Sequence, residues 1–386
     1  MLNFQFYNPV QIHFGAGSIS KAADILSPYG KSVVVLTGRS HVKTSDVLDK
    51  VLQNLKQLNI KYLVISGIEP NPRLSKLLEA ANDARKFSPD CILALGGGSV
   101  MDAAKILSLI LTHNGDPWEY RVTGKFSVPG ITNKLIPVIT IPTTAGTGSE
   151  ASPAALINHN NKKEAYFSPF MYPKAAIIDP ELSLTLPADL TAQVGIDAFV
   201  QSLEAYVSIN AQPFSDLFAE KSMKIVWQNL PNLVKQLDNK LLRSQSSFAG
   251  LLSLYAIGQA GVGAVHALSN PLSGRFNIGH GLSLSILLPA VMEANLDSNI
   301  EKFASLANLL GVNTTGMNSA TAAKESITIV KELLSKVNLS SSRLRDFGIS
   351  ESDLSVFADE AENPDMSTNP KKLTEEQIIE IYKHVL

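Results

Sequence analysis

An α/β N-terminal domain built on a Rossmann-like parallel sheet, followed by an all-α C-terminal domain, is the architecture this sequence predicts. Three observations predict it. Short runs that are apolar throughout alternate with amphipathic stretches in the first half, as in parallel sheets covered on both faces. Beyond Asp189 the strand signal fades and long helical periodicities take over. At 386 residues the chain also exceeds what one hydrophobic core serves. The expected domains are residues 1–184 and 185–386.

Residues 32–36 carry Val33-Val34-Val35-Leu36 and read as a strand; 42–57 follow as a helix with Val47, Leu48, Val51, Leu52 and Leu55 on one side. A strand at 62–65, a helix at 74–85 and a strand at 92–95 come next. After a glycine run, a helix is expected at 99–111 and a strand at 135–141. The character changes between Pro180 and Pro187. Helices are then expected at 192–208, 215–236, 247–268, 281–294, 300–310, 321–337 and 375–386. The opening segment, 6–14, reads as a hairpin at the sheet edge and a candidate dimer contact. No internal repeat is present, and the serines at Ser340, Ser341 and Ser342 suit a loop.

Composition narrows the classes of function. Thirty-three Lys and Arg against 35 Asp and Glu give a formal charge of -2, which argues against a nucleic-acid footprint. The longest apolar runs, such as Ile286-Leu287-Leu288, fall far below the roughly 18–20 residues of a membrane span. Met1-Leu2-Asn3-Phe4-Gln5 lacks the pattern of a secretion signal. The one cysteine, Cys91, excludes an intrachain disulfide and reads as a small buried residue opening a strand. A cytoplasmic protein is expected.

Leu95-Gly96-Gly97-Gly98-Ser99 runs from a buried strand into a helix. Glycines there let the backbone approach a pyrophosphate, and the helix start aims N–H groups at it. Met101 stands where G-x-G-x-x-G would place its last glycine, so a plain strand-to-helix turn reads equally well. A second loop, Pro142-Thr143-Thr144-Ala145-Gly146-Thr147-Gly148-Ser149-Glu150, is rich in hydroxyls. Two such loops at the C-terminal ends of parallel strands favour a dinucleotide.

In the second half, Asp197 and Gln201 stand at i and i+4, one turn apart on a single helix face. His266 closes an apolar helix and His280 sits between Gly279 and Gly281. One acid and two histidines suffice for a divalent ion of the iron or zinc type. Spacing alone equally suits two buried histidines satisfied by neighbours. Their small, apolar surroundings would make an unpaired imidazole costly, which tilts the reading towards a metal.

With these residues in view, the chain resembles the iron-containing (group III) alcohol dehydrogenase family, whose fold is shared with glycerol dehydrogenase and dehydroquinate synthase. The resemblance runs nearly end to end. It begins at Asn8-Pro9-x-x-Ile12-x-Phe14-Gly15-x-Gly17, takes in both loops, Asp179-Pro180, residues 195–206 and 266–280, and ends at Asn369-Pro370-x-x-Leu373-Thr374. It implies that Gly97, Gly98, Ser99 and Asp102 hold the pyrophosphate, that Thr140, Thr143 and Thr144 line the nicotinamide side, and that Lys163 reaches the ribose. It implies metal ligands at Asp197, at position 201, and at His266 and His280. The first domain would then bind the dinucleotide and the second the metal and substrate.

Three positions depart from the family pattern. Gln201 stands where the family has His, and Asn270 where a further His is common. Glutamine can ligate through its oxygen, as a harder and weaker donor, and Asn270 cannot relay a proton. Gly38, followed by Arg39, replaces the Asp that NAD-preferring relatives tend to carry, which leans the cofactor towards NADP(H) over NAD(H). The expected enzyme is an NAD(P)-dependent alcohol dehydrogenase or aldehyde reductase acting on a small substrate, with catalysis at Asp197, His266, His280 and Asn270, and a homodimer or higher homo-oligomer. A metal-independent reductase, with Gln201 and Asn270 bonding a polar carbonyl substrate, is the alternative; a lyase resembling dehydroquinate synthase and a catalytically impaired binding protein are further ones. Arg275 near the proposed metal would suit an anionic group.

Overall fold

In the computed structural model, which describes residues 4–39, 46–123 and 130–386, the chain divides into Asn8–Leu186 and a second unit of Pro187–Leu386 with residues 4–7. The first unit carries strands β1 (Gln11–Phe14), β2 (Ser32–Gly38), β3 (Lys61–Ile68), β4 (Cys91–Gly96), β5 (Val138–Pro142), β6 (Ala154–His159), β7 (Lys162–Phe167) and β8 (Ala175–Ile178). Six of them form one sheet in the order β1-β8-β5-β4-β2-β3, every pair parallel. Helices α1 (Ala22–Leu26), α2 (Val47–Gln57), α3 (Leu74–Phe87) and α4 (Gly98–Thr112) cover it. Val33 and Val35 pack with α1 and α2, whereas Val34 and Leu36 pack with α3 and α4. Neighbouring residues therefore bury on opposite faces, which is why these strands read as unbroken apolar runs. The strand order reverses between β2 and β4, the place where such sheets bind ligands at their C-terminal ends.

The second unit is helical: α5 (Ala188–Val207), α6 (Pro213–Leu233), α7 (Lys240–Ala260), α8 (Ala264–Phe276), α9 (His280–Asn295), α10 (Ile300–Leu309), α11 (Ser319–Lys336), α12 (Leu354–Ala361) and α13 (Glu375–Val385). Its centre is α5, in which residues 194–207 are all buried and Ile196, Phe199, Val200, Leu203 and Tyr206 join the unit's hydrophobic core. Among the described residues no single helix is long and apolar enough to cross a membrane.

Most predicted elements are present, with four corrections. The opening segment forms no hairpin. The Asn8 side chain turns the chain by accepting from Val10 N (3.1 Å), and β1 then joins β8 in parallel as an edge strand. Residues 4 and 6 belong instead to the helical unit, where Phe6 stacks on Phe214 at 5.4 Å and Phe4 meets the same ring tilted at 5.2 Å. The helix expected over 247–268 is two, because Gly261 adopts φ +78° and α8 leaves α7 at 107°. The strand expected from 135 begins at Val138, since Pro137 has no N–H for the ladder. The hairpin β6–β7 was not expected. It turns at Asn160 and Asn161, whose φ of 51° and 63° suit a two-residue connection. The start of the helix expected over 42–57 lies outside the described residues, as does Ser40 beside Arg39.

Candidate active site

In the sheet unit, β4 delivers Gly96, Gly97 and Gly98 to the start of α4, whose first turn no side chain caps. The second loop presses against that turn. A Cβ on Gly97 would lie 3.3 Å from the Thr144 methyl, and one on Gly98 only 3.0 Å from Thr147. Any side chain at these glycines would crowd the facing loop. Thr143 N donates to Gly96 O (2.9 Å) and joins them. Thr144 Oγ1 is buried without a hydrogen-bond partner, as is Thr37 Oγ1 at the end of β2. Orphaned hydroxyls at the sheet's C-terminal edge, beside an uncapped helix start, fit a polar anionic ligand such as a dinucleotide.

The other residues of this set have varied surroundings. Thr140 is fully buried, and its hydroxyl donates to Glu150 O (2.8 Å). Asp102 faces inward. Its Oδ1 accepts from Ser149 Oγ (2.5 Å) and its Oδ2 from Leu156 N (3.0 Å). Lys105, fully buried one turn on, donates to Ser149 O, Ser149 Oγ and Ala154 O at 2.7–2.8 Å. Burial drives its pKa down to about 8, against the pull of the Asp102 and Glu150 carboxylates. Lys105 ties the hydroxyl-rich loop to α4, a role the sequence signalled only by a lysine on an otherwise apolar helix. Lys163 lies on β7 opposite Asn158. Gly38 ends β2, and a Cβ there would meet nothing closer than 3.7 Å. Arg39 is exposed and pairs with Glu69 at 2.9 Å.

In the helical unit, three elements bring Asp197, His266 and His280 together. Asp197 lies mid-way along α5, His266 in the first turn of α8 and His280 at the first position of α9. The ligand-capable atoms of the three all lie within 4.8 Å of one another. His266 Nε2 is 3.5 Å and His280 Nε2 3.8 Å from Asp197 Oδ1. Ligands on a tetrahedral ion with bonds near 2.1 Å stand about 3.4 Å apart, so the cluster has the dimensions of a metal site. A carboxylate and two imidazoles fit iron or zinc.

Local packing explains the convergence. Glycine is required at Gly281, where a Cβ would strike Gln193 O at 2.3 Å, so α9 starts tightly against α5. At Gly263 a Cβ would lie 3.0 Å from Asn369 Oδ1 and 3.1 Å from Glu204 Oε1. Those two oxygens cap α8: Asn369 Oδ1 accepts from Ala264 N (3.1 Å) and Glu204 Oε1 from Val265 N (2.6 Å). Glu204 Oε2 meets His266 Nδ1. That contact commits Nδ1 and leaves Nε2 facing the cluster. Burial opposes charge on His266, but Glu204 and Asp197 outweigh it and push its pKa up to about 10. Both carboxylates favour the charged ring, so a metal binding through Nε2 competes with a proton there. Sequence reasoning passed over Glu204, although it stands two turns from Asp197 on the same helix face.

Two of the departures from the family pattern, Gln201 and Asn270, lie on α5 and α8, the helices that carry Asp197 and His266. Gln201 Nε2 donates to Asp197 Oδ1 (2.9 Å), and Gln201 Oε1 accepts from Ser253 Oγ (2.8 Å). Asn270 Nδ2 donates to Asp365 Oδ2 (3.0 Å). Arg275 holds Glu360 through two nitrogens at 3.0 and 2.5 Å.

Comparison with known proteins accords with this geometry. A family described as iron-containing alcohol dehydrogenase matches residues 9–180, and the C-terminal region of Fe-containing alcohol dehydrogenases matches residues 191–386. The 1,3-propanediol dehydrogenase of Citrobacter freundii is 32% identical over 98% of both chains. That of Klebsiella pneumoniae is 31% identical over the same shares. The solved alcohol dehydrogenase from Oenococcus oeni is 32% identical and superposes over 100% of both chains with a TM-score of 0.93.

Proposed function

Because the chain belongs to the iron-containing alcohol dehydrogenase family and is an NAD(P)-dependent oxidoreductase acting on CH–OH groups, we propose that Asp197, His266 and His280 form its metal centre. The observation that carries this reading is their convergence in one cluster, with Asp197 and His266 buried, His280 half-buried and Glu204 committing His266 Nδ1. The substrates are small alcohols and their aldehydes; propanediol, methanol and butanol dehydrogenases are among the relatives. In the oxidative direction the alcohol loses a hydride from carbon and a proton from oxygen, giving aldehyde, reduced dinucleotide and one proton.

A bound divalent ion supplies Lewis acidity towards the substrate oxygen, and the dinucleotide exchanges the hydride. Asp197 contributes the one anionic ligand, and His266 and His280 the neutral nitrogens. Gly97, Gly98 and Ser99 receive the pyrophosphate at the start of α4, with the Thr144 hydroxyl beside them. Asn270, bonded to Asp365, orients substrate but is neither acid nor base at neutral pH, so water takes that proton. Arg39 next to Gly38 favours NADP(H), because an exposed guanidinium suits a 2′-phosphate and no carboxylate repels it. The open outer edge of β1 suits a second copy of the chain, and a single buried cysteine suits the cytoplasm.

One observation favours a metal-independent reductase instead: the Gln201 amide already satisfies Asp197. Metal analysis of gently purified protein, with NADPH and NADH turnover of short aldehydes before and after chelation, separates the two. Chelation that strips a stoichiometric ion and abolishes turnover supports the metal centre. Undiminished turnover without metal overturns it.

A further inference from the structure

Gln201 and Ser253 are both buried, at 4% and 0% exposure. Ser253 Oγ lies 2.8 Å from Gln201 Oε1 and 2.9 Å from Gly250 O. A hydroxyl has one proton, so it donates to only one of these oxygens at a time. When the proton points to Gly250 O, Ser253 turns a lone pair towards Gln201, and the matching group there is the amide NH2. The oxygen and nitrogen of a glutamine amide are nearly equal in size, so a half-turn about its last torsion repacks nothing.

Ser253 can therefore serve the Gln201 amide in two orientations. In the first, Nε2 donates to Asp197 and Ser253 donates to Oε1, as the structure has it. In the second, Nε2 donates to Ser253 Oγ, Ser253 donates to Gly250 O, and Oε1 faces Asp197. Two oxygens facing one another repel unless a cation lies between them.

We propose that Gln201 turns its amide over when a divalent ion binds, ligating through Oε1, and that Ser253 is the positioning residue that makes the turn possible. This rests on the metal-centre reading above. It answers how a chain lacking the family's histidine at this position completes its donor set. It also makes the hydrogen bond from Gln201 to Asp197 a competitor of the metal.

The test is a crystal structure of the full chain loaded with Zn²⁺, alongside Zn²⁺ affinities from chelator competition. The expected result has Oε1 bonded to the ion and Nε2 within hydrogen-bond reach of Ser253 Oγ; only the oxygen of an amide can ligate, so the bond identifies the orientation. Gln201→Leu is expected to weaken Zn²⁺ binding by about 10–100-fold. Ser253→Ala is expected to weaken it several-fold in the wild-type background and not at all beside Gln201→Leu. An ion bound while Nε2 stays on Asp197 overturns the turn and leaves the metal centre standing. Equal losses from Ser253→Ala in both backgrounds remove Ser253 from the mechanism, and a variant that does not fold leaves the crystal structure to decide. A wild-type chain that takes up no stoichiometric Zn²⁺ brings down the metal centre and this inference together.

Discussion

Glu204 holds His266 twice, through Oε2 at ring Nδ1 and through Oε1 at the backbone N–H, 3.4 Å away. The same carboxylate caps α8 and selects which imidazole nitrogen faces Asp197. Helix position and ligand tautomer are thereby one interaction, and they should fail together.

Glu204→Gln tests that coupling. The amide retains one acceptor for two tasks, so either the helix cap or the Nδ1 contact is lost. Metal affinity should fall about 10–100-fold. Stability should fall by about 1.5–3 kcal/mol, the range for a hydrogen bond to a charged group. Chelator competition and urea unfolding read the two; a variant that keeps wild-type metal affinity sinks the role assigned to Glu204.

Gly98→Ala tests the cofactor cradle. The new methyl would lie 3.0 Å from the Thr147 side chain, forcing the first turn of α4 and the facing loop apart. Such a shift loosens a ligand held between the two segments; a misplacement of about 1 Å costs about 100-fold. Dinucleotide affinity, followed by the fluorescence of the reduced cofactor, should drop at least tenfold while metal content is unchanged. Cofactor binding as tight as in the parent protein would falsify this account of the loop.

How much of this was legible in sequence depended on range. The strands β2 and β4 showed themselves because cover on both faces makes every residue apolar. The pair Asp197 and Gln201 showed itself because four residues are one helical turn. The bend at Gly261 did not, since small apolar residues continue the helical pattern across it and only a backbone angle of +78° breaks it. Glu204 was on the right face, but its partners arrive from α8, 61 and 62 residues away. The same holds for Asp102: its carboxylate meets Ser149 and Leu156, 47 and 54 residues on, and no local pattern announces either contact.

Lys105 gives the protein a pH signature. Burial lowers its pKa to about 8 from an ordinary 10.5. Between those values the unfolded chain binds the proton and the folded chain does not, so stability rises with pH across that window. The size is about 3 kcal/mol by linkage. Below pH 8 both states are protonated and the slope vanishes. Lys105→Met should lack the rise, which the difference in urea midpoints between wild type and variant from pH 8 to 10 isolates. A flat difference across that range rules the assignment out.

The proposed preference for NADP(H) rests on two neighbouring residues, Gly38 and Arg39. Arg39 is 65% exposed and its pair with Glu69 is a surface interaction worth about 0–1 kcal/mol, so a phosphate can recruit the guanidinium away. A charge-assisted bond to a 2′-phosphate contributes about 1.5–3 kcal/mol, or roughly tenfold or more in affinity. Arg39→Ala should therefore lower kcat/KM with NADPH about tenfold or more and leave NADH within about twofold. Gly38→Asp should act in the opposite sense. The position has room for the side chain, and the new carboxylate would bond the ribose hydroxyls of NADH while repelling the phosphate of NADPH. Parallel assays with both cofactors decide it: if Arg39→Ala weakens both equally, the guanidinium does not read the phosphate, and the preference for NADP(H) loses its basis.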